Sequence, residues 1–288
     1  MTTSAIDIDA ETEKIVRAIG IPPCPKIVLE FMQEMRKDDA DMRRLADLIG
    51  SDPGLAAAVL KTANSSMFAL KSKVSTVQQA FAVLGMRATS MLVSSLLLKG
   101  SFPVSQSNSI EAFWRNSATT AAYSAALAPM VVQVDRYVAY TYGLFRDCGQ
   151  AIMLIKFPNY RGLFTGEAVP PNKSMVEVES ASFPTNHANI GGVLAKSWQL
   201  SDVICEAIFS HHDAPNLAAG RPAPSKAGAR LIAVGILADQ IQSMQQTGKP
   251  HREWAAGKAL VANELGIDET GLASVAAMLK SSDVAIAA

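Results

Sequence analysis

The 288 residues are 49% hydrophobic and 18% charged, which excludes a disordered chain and supplies a core for one large domain or two lobes. The 26 basic and 26 acidic residues cancel without any block of like charge, which speaks against a nucleic-acid protein working by phosphate neutralisation. Three widely spaced cysteines (Cys24, Cys148, Cys205) read as buried thiols of a reducing compartment, and a polar, acidic start with no span-length apolar run reads as a soluble, cytoplasmic chain without a signal peptide.

Up to about Glu11 there is no periodic pattern, and residues 1–14 are expected to be flexible. A short helical pattern from Glu13 to Ile19 stops at Gly20, and the stiff run Ile21-Pro22-Pro23-Cys24-Pro25 enters a helix with a stripe of Ile27, Val28, Phe31, Met32 and Met35. Asp41 caps a helix over Met42 to Ile49. Ser51-Asp52-Pro53 starts the next one, which Asn64-Ser65-Ser66 ends, with Asn64 and Ser65 read as a C-terminal cap using local side-chain bonds. Ser75 is the predicted cap of a helix that Gly85 closes, and Met86 to Leu98 forms another that is apolar nearly all round.

Gly100 to Asn108 is the clearest internal boundary. Beyond it come a long Ala-rich helix from Ile110 to about Met130, a central apolar helix from Asp135 to Arg146, and a core segment from Gln150 to Phe157. Pro158 to Lys173 reads as a loop and Ser174 to Ser182 as a short acidic helix with Glu177 and Glu179. Asn186-His187 opens a helix ending near Trp198, and Ser201-Asp202 caps one ending at His211-His212-Asp213. Asp213 to Lys226 reads as the most flexible loop, followed by a buried helix from Ala227 to Met244 that contains Asp239. Helices over about Arg252 to Leu265 and Asp268 to Lys280 close the chain, with Ala285 to Ala288 expected to be mobile. Strict alternation of apolar and polar residues is almost absent, so the fold class is all-α.

Four blocks carry a family resemblance: Ile21 to Pro25, Ile49 to Leu55, Val59 to Ser65, and Val74 to Ala80 with Leu84-Gly85. In this order, from about residue 15 to 215, the chain resembles the HDOD domain, the HD-related output domain of bacterial signalling proteins. The resemblance implies an HD-like helical domain with an additional N-terminal helical lobe. That lobe would occupy 15–100, a degenerate HD lobe 109–245, and C-terminal helices packed on the HD lobe 246–288.

The enzymes of the HD superfamily hold two metals with histidines and aspartates, and the residue before the central aspartate is a histidine ligand. Here that residue is Arg146, beside Asp147. The resemblance places the first-metal ligands at Asn116, Arg146, Asp147 and Asp239. A guanidinium cannot ligate a cation, and an amide oxygen does so weakly. Similarity to the HD-GYP phosphodiesterases places the second-metal ligands at Asp147, His187, His211 and His212, all of suitable type. Gln150 stands where those enzymes usually carry a lysine. Plainer readings of the same residues are helix-end histidines at 211 and 212, a helix-start histidine at 187, and an Arg146–Asp147 or Arg146–Asp239 ion pair plugging the cavity. The implied function is a non-catalytic, stand-alone signal-transduction module acting through contacts with signalling proteins, without nucleic acid or membrane. No cofactor is expected, though the second set leaves room for one divalent metal ion. The alternatives are a metal-dependent phosphohydrolase acting on nucleotides or cyclic dinucleotides, and a nucleotide sensor without hydrolysis.

Overall fold

A computed structural model describes residues 14, 18–20, 23–35, 37, 39–64, 73–102, 108–164, 168–170, 173–220 and 225–281. The start expected to be flexible (apart from residue 14), Ser65-Ser66 and the Ala285–Ala288 tail lie outside these residues. Among the described residues there is no strand, and no single helix is long and apolar enough to cross a membrane.

One compact unit spans Pro23–Pro103 and another includes Val104–Val284. The first contains α1 (Lys26–Met35), α2 (Met42–Gly50), α3 (Pro53–Ala63) and α4 (Val77–Gly100). α1 buries Val28, Phe31 and Met32 from its predicted stripe. Asp41 accepts from the Arg43 and Arg44 amides, and Asp52 from the Leu55 amide with Pro53 in the first turn, as short polar caps should.

Two local expectations are corrected in this unit, and a third is met. The cap of α4 is Thr76, whose side chain accepts from the Gln79 amide, while Ser75 instead donates to the Gln79 side chain. Gly85, at φ +82°, breaks the run as expected, and two arms (Val77–Met86 and Ala88–Gly100) meet at 117°. A left-handed φ of this kind suits glycine. Asn64 makes no local cap with its side chain. Its Nδ2 donates to the Val74 carbonyl and its Oδ1 accepts from the Val74 amide, both at 2.8 Å, so one carboxamide pairs with a backbone ten residues away.

The second unit contains α5 (Asn108–Leu127), α6 (Arg136–Phe145), α7 (Cys148–Lys156), α8 (Arg161–Phe164), α9 (Met175–Ser182), α10 (His187–Ser197), α11 (Asp202–Ser210), α12 (Ala214–Ala218), α13 (Lys226–Thr247), α14 (Trp254–Leu265) and α15 (Glu269–Ser281). Every residue of α6 from Ala139 to Phe145 is buried, and α6 packs against α5, α11 and α13. A Cβ on Gly143 would sit 2.8 Å from the Ala121 Cα, so only glycine lets α5 and α6 approach this closely. Phe145 meets the Trp198 ring edge-on at 5.7 Å. The two predicted loops are not wholly loops. Pro158 to Lys173 contains the 3-10 turn Pro158–Tyr160 and α8, and Asp213 to Lys226 contains α12. In both, a proline falls in the first turn of a helical piece, where its missing N–H costs nothing.

Candidate metal centre

α6 stops at Arg146, and Asp147 follows at the start of α7. No backbone amide of α7 is capped by the Asp147 side chain, so the carboxylate is left for other partners. Asn186 caps α10 through the Asn189 amide and thereby fixes His187 at the first helical position. α11 ends where His211 and His212 begin. The contact that joins these ends is at Gly149. A Cβ there would lie 2.0 Å from the His187 carbonyl oxygen, so α7 and α10 touch backbone to backbone. The result is that Asp147, His187, His211 and His212 each place a potential ligand atom within 4.8 Å of the others.

Outer groups lie against all three imidazoles and hydrogen-bond those of His187 and His211. His187 Nδ1 is 2.7 Å from Glu179 Oε2, His211 Nδ1 is 2.7 Å from the Ile208 carbonyl, and His212 Nδ1 is 3.0 Å from Glu253 Oε2. A carbonyl only accepts, so His211 carries its proton on Nδ1 and offers a lone pair at Nε2. The three Nε2 atoms then face one another. His187 Nε2 is 3.2 Å from His211 Nε2 and 2.9 Å from His212 Nε2, and Asp147 Oδ1 lies 3.5 and 3.4 Å from the His187 and His211 Nε2 atoms.

Four acceptors gathered this closely require a positive charge among them. Burial lowers the His187 pKa, but Glu179 and then Asp147 outweigh it and raise the group to about 10, so without metal His187 Nε2 carries that proton. Burial, and then the neighbouring His212 imidazole, press His211 down to about 3 and keep its lone pair free. A tetrahedral ion with ligands at about 2.0–2.1 Å has edges of about 3.3–3.4 Å, close to the separations seen here. The donor set, its spacing and the Nδ1 partners fit one divalent metal ion in place of the His187 proton.

Beside this cluster the first set of positions is differently filled. Arg146 Nε and Nη2 donate to Asp147 Oδ2 at 3.0 and 2.8 Å, and Nη1 pairs with Asp239 Oδ2 at 2.8 Å. Burial would lower the Arg146 pKa, but Asp147 and Asp239 hold it well above the ordinary value. Asp147 is correspondingly held well below the carboxylate range, against its burial, by Arg146 first. The other oxygen of Asp239 meets the Thr120 hydroxyl at 3.1 Å, Thr120 meets Gln242 at 2.9 Å, and Gln242 meets Asn116 at 3.3 Å. One hydroxyl proton cannot serve two acceptors. With both carboxamides turned over, Asn116 donates to Gln242, Gln242 to Thr120 and Thr120 to Asp239, and every group is satisfied. In that arrangement both Asp239 oxygens are engaged, and Asn116 ends a hydrogen-bonded chain. The sequence reading offered Arg146–Asp147 and Arg146–Asp239 as alternatives, and one guanidinium makes both.

A family model of the HDOD domain matches residues 21–214. The chain belongs to the HDOD domain family. Among similar proteins, this HDOD chain is 24% identical over 222 residues to an uncharacterised protein of Treponema pallidum (strain Nichols), a match covering 73% of the chain and 42% of the relative. The chain thus spans less than half of that relative's length. Its fold resembles a provisionally named phosphohydrolase from Shewanella amazonensis SB2B (TM-score 0.72, 23% identity, 97% of this chain and 98% of that one). It is also similar to an HDOD domain protein of unknown function from Geobacter sulfurreducens (TM-score 0.71, 22% identity, 96% and 95%). A provisionally named signal transduction protein from Marinobacter aquaeolei VT8 aligns with TM-score 0.73 and 22% identity over 94% of this chain and 59% of that one. At these identities the structural likeness establishes the HD-like helical fold.

The sequence reading passed over the outer residues of the HDOD centre. Glu179 is fully buried; it accepts from the His187 amide at 2.8 Å and from the Tyr160 hydroxyl. In sequence it is one more charge on an acidic helix, and the available signal was the apolar residues at helical spacing from it, Met175, Val176 and Phe183. Glu253, held down to about 2 against its burial chiefly by His212, precedes α14 with no local motif to mark it.

Proposed function

We propose that this HDOD chain is a non-catalytic signal-transduction module that works through protein contacts, with one divalent metal held by Asp147, His187, His211 and His212 as a structural ion. The observation that carries this reading is the Arg146 guanidinium, 2.8 Å from both Asp147 and Asp239. Two-metal hydrolysis needs two ions about 3.5–4 Å apart, clamping the attacking and leaving oxygens. A fixed cation that can neither ligate nor be deprotonated stands at the shared aspartate instead. The remaining set supplies four protein donors to one ion, the closed arrangement of structural rather than catalytic sites. When bound, such an ion would cross-link α7, α10 and the end of α11. Asp147 would supply the anionic ligand, while Glu179 and Glu253 would hold two of the imidazoles in orientation.

The test pairs metal analysis with a turnover assay. Purified protein loaded with manganese, nickel, iron or zinc should retain about one ion per chain and should not hydrolyse phosphomonoesters, nucleotides or cyclic dinucleotides above background. Metal-dependent turnover that disappears in Asp147→Ala would make it a phosphohydrolase and defeat the proposal.

A further inference from the structure

A cavity of about 580 Å³ opens beside Arg146 and Asp147, between α5 and the C-terminal half of α13. Its size is that of a small-molecule site. Three features define what would fit it. The first is charge. Arg146 is the one lysine or arginine among the lining residues, and it is already shared between two lining carboxylates, Asp147 and Asp239. This ion cluster sums to minus one, so the wall repels a phosphate or carboxylate and accepts an uncharged ligand.

The second feature is a set of carboxamides with free hydrogen-bonding capacity. Asn116, Gln150 and Gln246 all line the cavity. Asn116 is engaged with Gln242 through one end of its carboxamide, and Gln150 only through a long 3.4 Å contact to Asp147. Gln246, exposed near the end of α13, has a side chain with no hydrogen-bond partner among the described residues. A carboxamide presents a donor and an acceptor side by side, which complements the paired donor and acceptor on the edge of a nitrogen heterocycle. The third feature is aromatic. Phe113 and Phe164 line the same cavity, with rings 5.4 Å apart at 48°, and Trp114 braces Phe113 edge-on at 4.9 Å. Aromatic faces of this kind stack planar bases of any sequence.

We propose that this cavity binds an uncharged planar nitrogen heterocycle, a nucleobase or nucleoside without phosphate, stacked on Phe113 and Phe164 and read at its edge by Asn116, Gln150 and Gln246. This goes beyond the signalling reading, because it gives the module a small-molecule input beside its metal centre, with Asp147 on the wall of both. Polarity chooses this class over a lipid or an alkyl chain, and charge chooses nucleosides over nucleotides.

The experiment is calorimetric titration of the full chain, kept in EDTA, with adenosine, guanosine, cytidine and uridine and with their 5′-monophosphates. At least one nucleoside should bind, and its monophosphate should bind about tenfold or more weakly. Loss of one stacking or edge contact, in Phe164→Ala and separately in Gln246→Ala, should weaken binding about fivefold or more, with folding checked by circular dichroism. The inference is overturned if no nucleoside binds at millimolar concentration, if the phosphate strengthens binding, or if both variants bind like the parent. Because the titration contains no metal and reads no turnover, its failure leaves the metal and signalling readings standing, and theirs leaves it standing.

Discussion

Arg146→Ala is the most informative substitution. In the parent, the guanidinium and its two carboxylate partners are nearly enclosed, with side-chain exposures of 11% for Arg146, 22% for Asp147 and 12% for Asp239. Removing one partner of a buried ion pair typically costs about 3–5 kcal/mol, because the other charge is left desolvated without compensation. Here two carboxylates lose the same cation and then repel each other. Asp147 is partly open to water, however, and Asp239 keeps its bond to Thr120, so the lower end applies, about 3 kcal/mol. For a unit the size of Val104–Val284 that corresponds to a fall in melting temperature of roughly 6–12 °C. Far-UV circular dichroism in EDTA at neutral pH would measure it. Arg146→Ala combined with Asp239→Asn should recover part of the loss, since the second change removes one of the orphaned charges, and the two effects should be non-additive. A single variant that melts with the parent, or strictly additive losses, would refute the account of Arg146 as a buried bridge between the two aspartates.

Four further outcomes are expected. Divalent metal should displace the His187 proton, so titrations in buffers of different ionisation enthalpy should report about one proton released per ion bound near pH 7, and no proton release would contradict the shared position. The metal-free chain should be most resistant to urea near pH 6.5. His211, depressed to about 3, contributes stability above the ordinary histidine value that is lost as pH falls from there. His187, raised to about 10, contributes below that value and loses its contribution as pH climbs toward 10. A flat urea midpoint from pH 5 to 9 would count against both assignments. Gly149→Ala should push α10 away through the His187 carbonyl and lower both the melting temperature and metal retention; unaltered metal retention would show that this close approach does not set the His187 position. Asn64→Ala should lose about 1–3 kcal/mol in urea denaturation by stranding the Val74 amide and carbonyl, whereas a local cap would leave most of that stability intact.

Much of this protein is local, and what is local could be read in its residues. Asp41, Asp52, Asp135 and the Ser174–Glu177 capping box fix helix starts because each oxygen serves an amide only two or three residues away. The apolar stripe of α1 and the nearly continuous apolar run of α6 foretold which faces are buried, and the ordered blocks from Ile21 to Gly85 pointed to the HDOD family. The chain also displayed the chemical types at the centre, including an arginine where the resemblance expected a ligand. What no local pattern held was how these groups meet. His187 reaches Asp147 because Gly149 lets two helices touch, and Glu179 and Glu253 orient their histidines only once α10, α11 and α14 are packed. The pairing of Asn64 with Val74 and the chain from Asn116 through Gln242 and Thr120 to Asp239 likewise join residues far apart in sequence. Capping energies depend on neighbours along the chain, whereas ligand geometry and ion pairing depend on neighbours across it, and only the packed helices supply those.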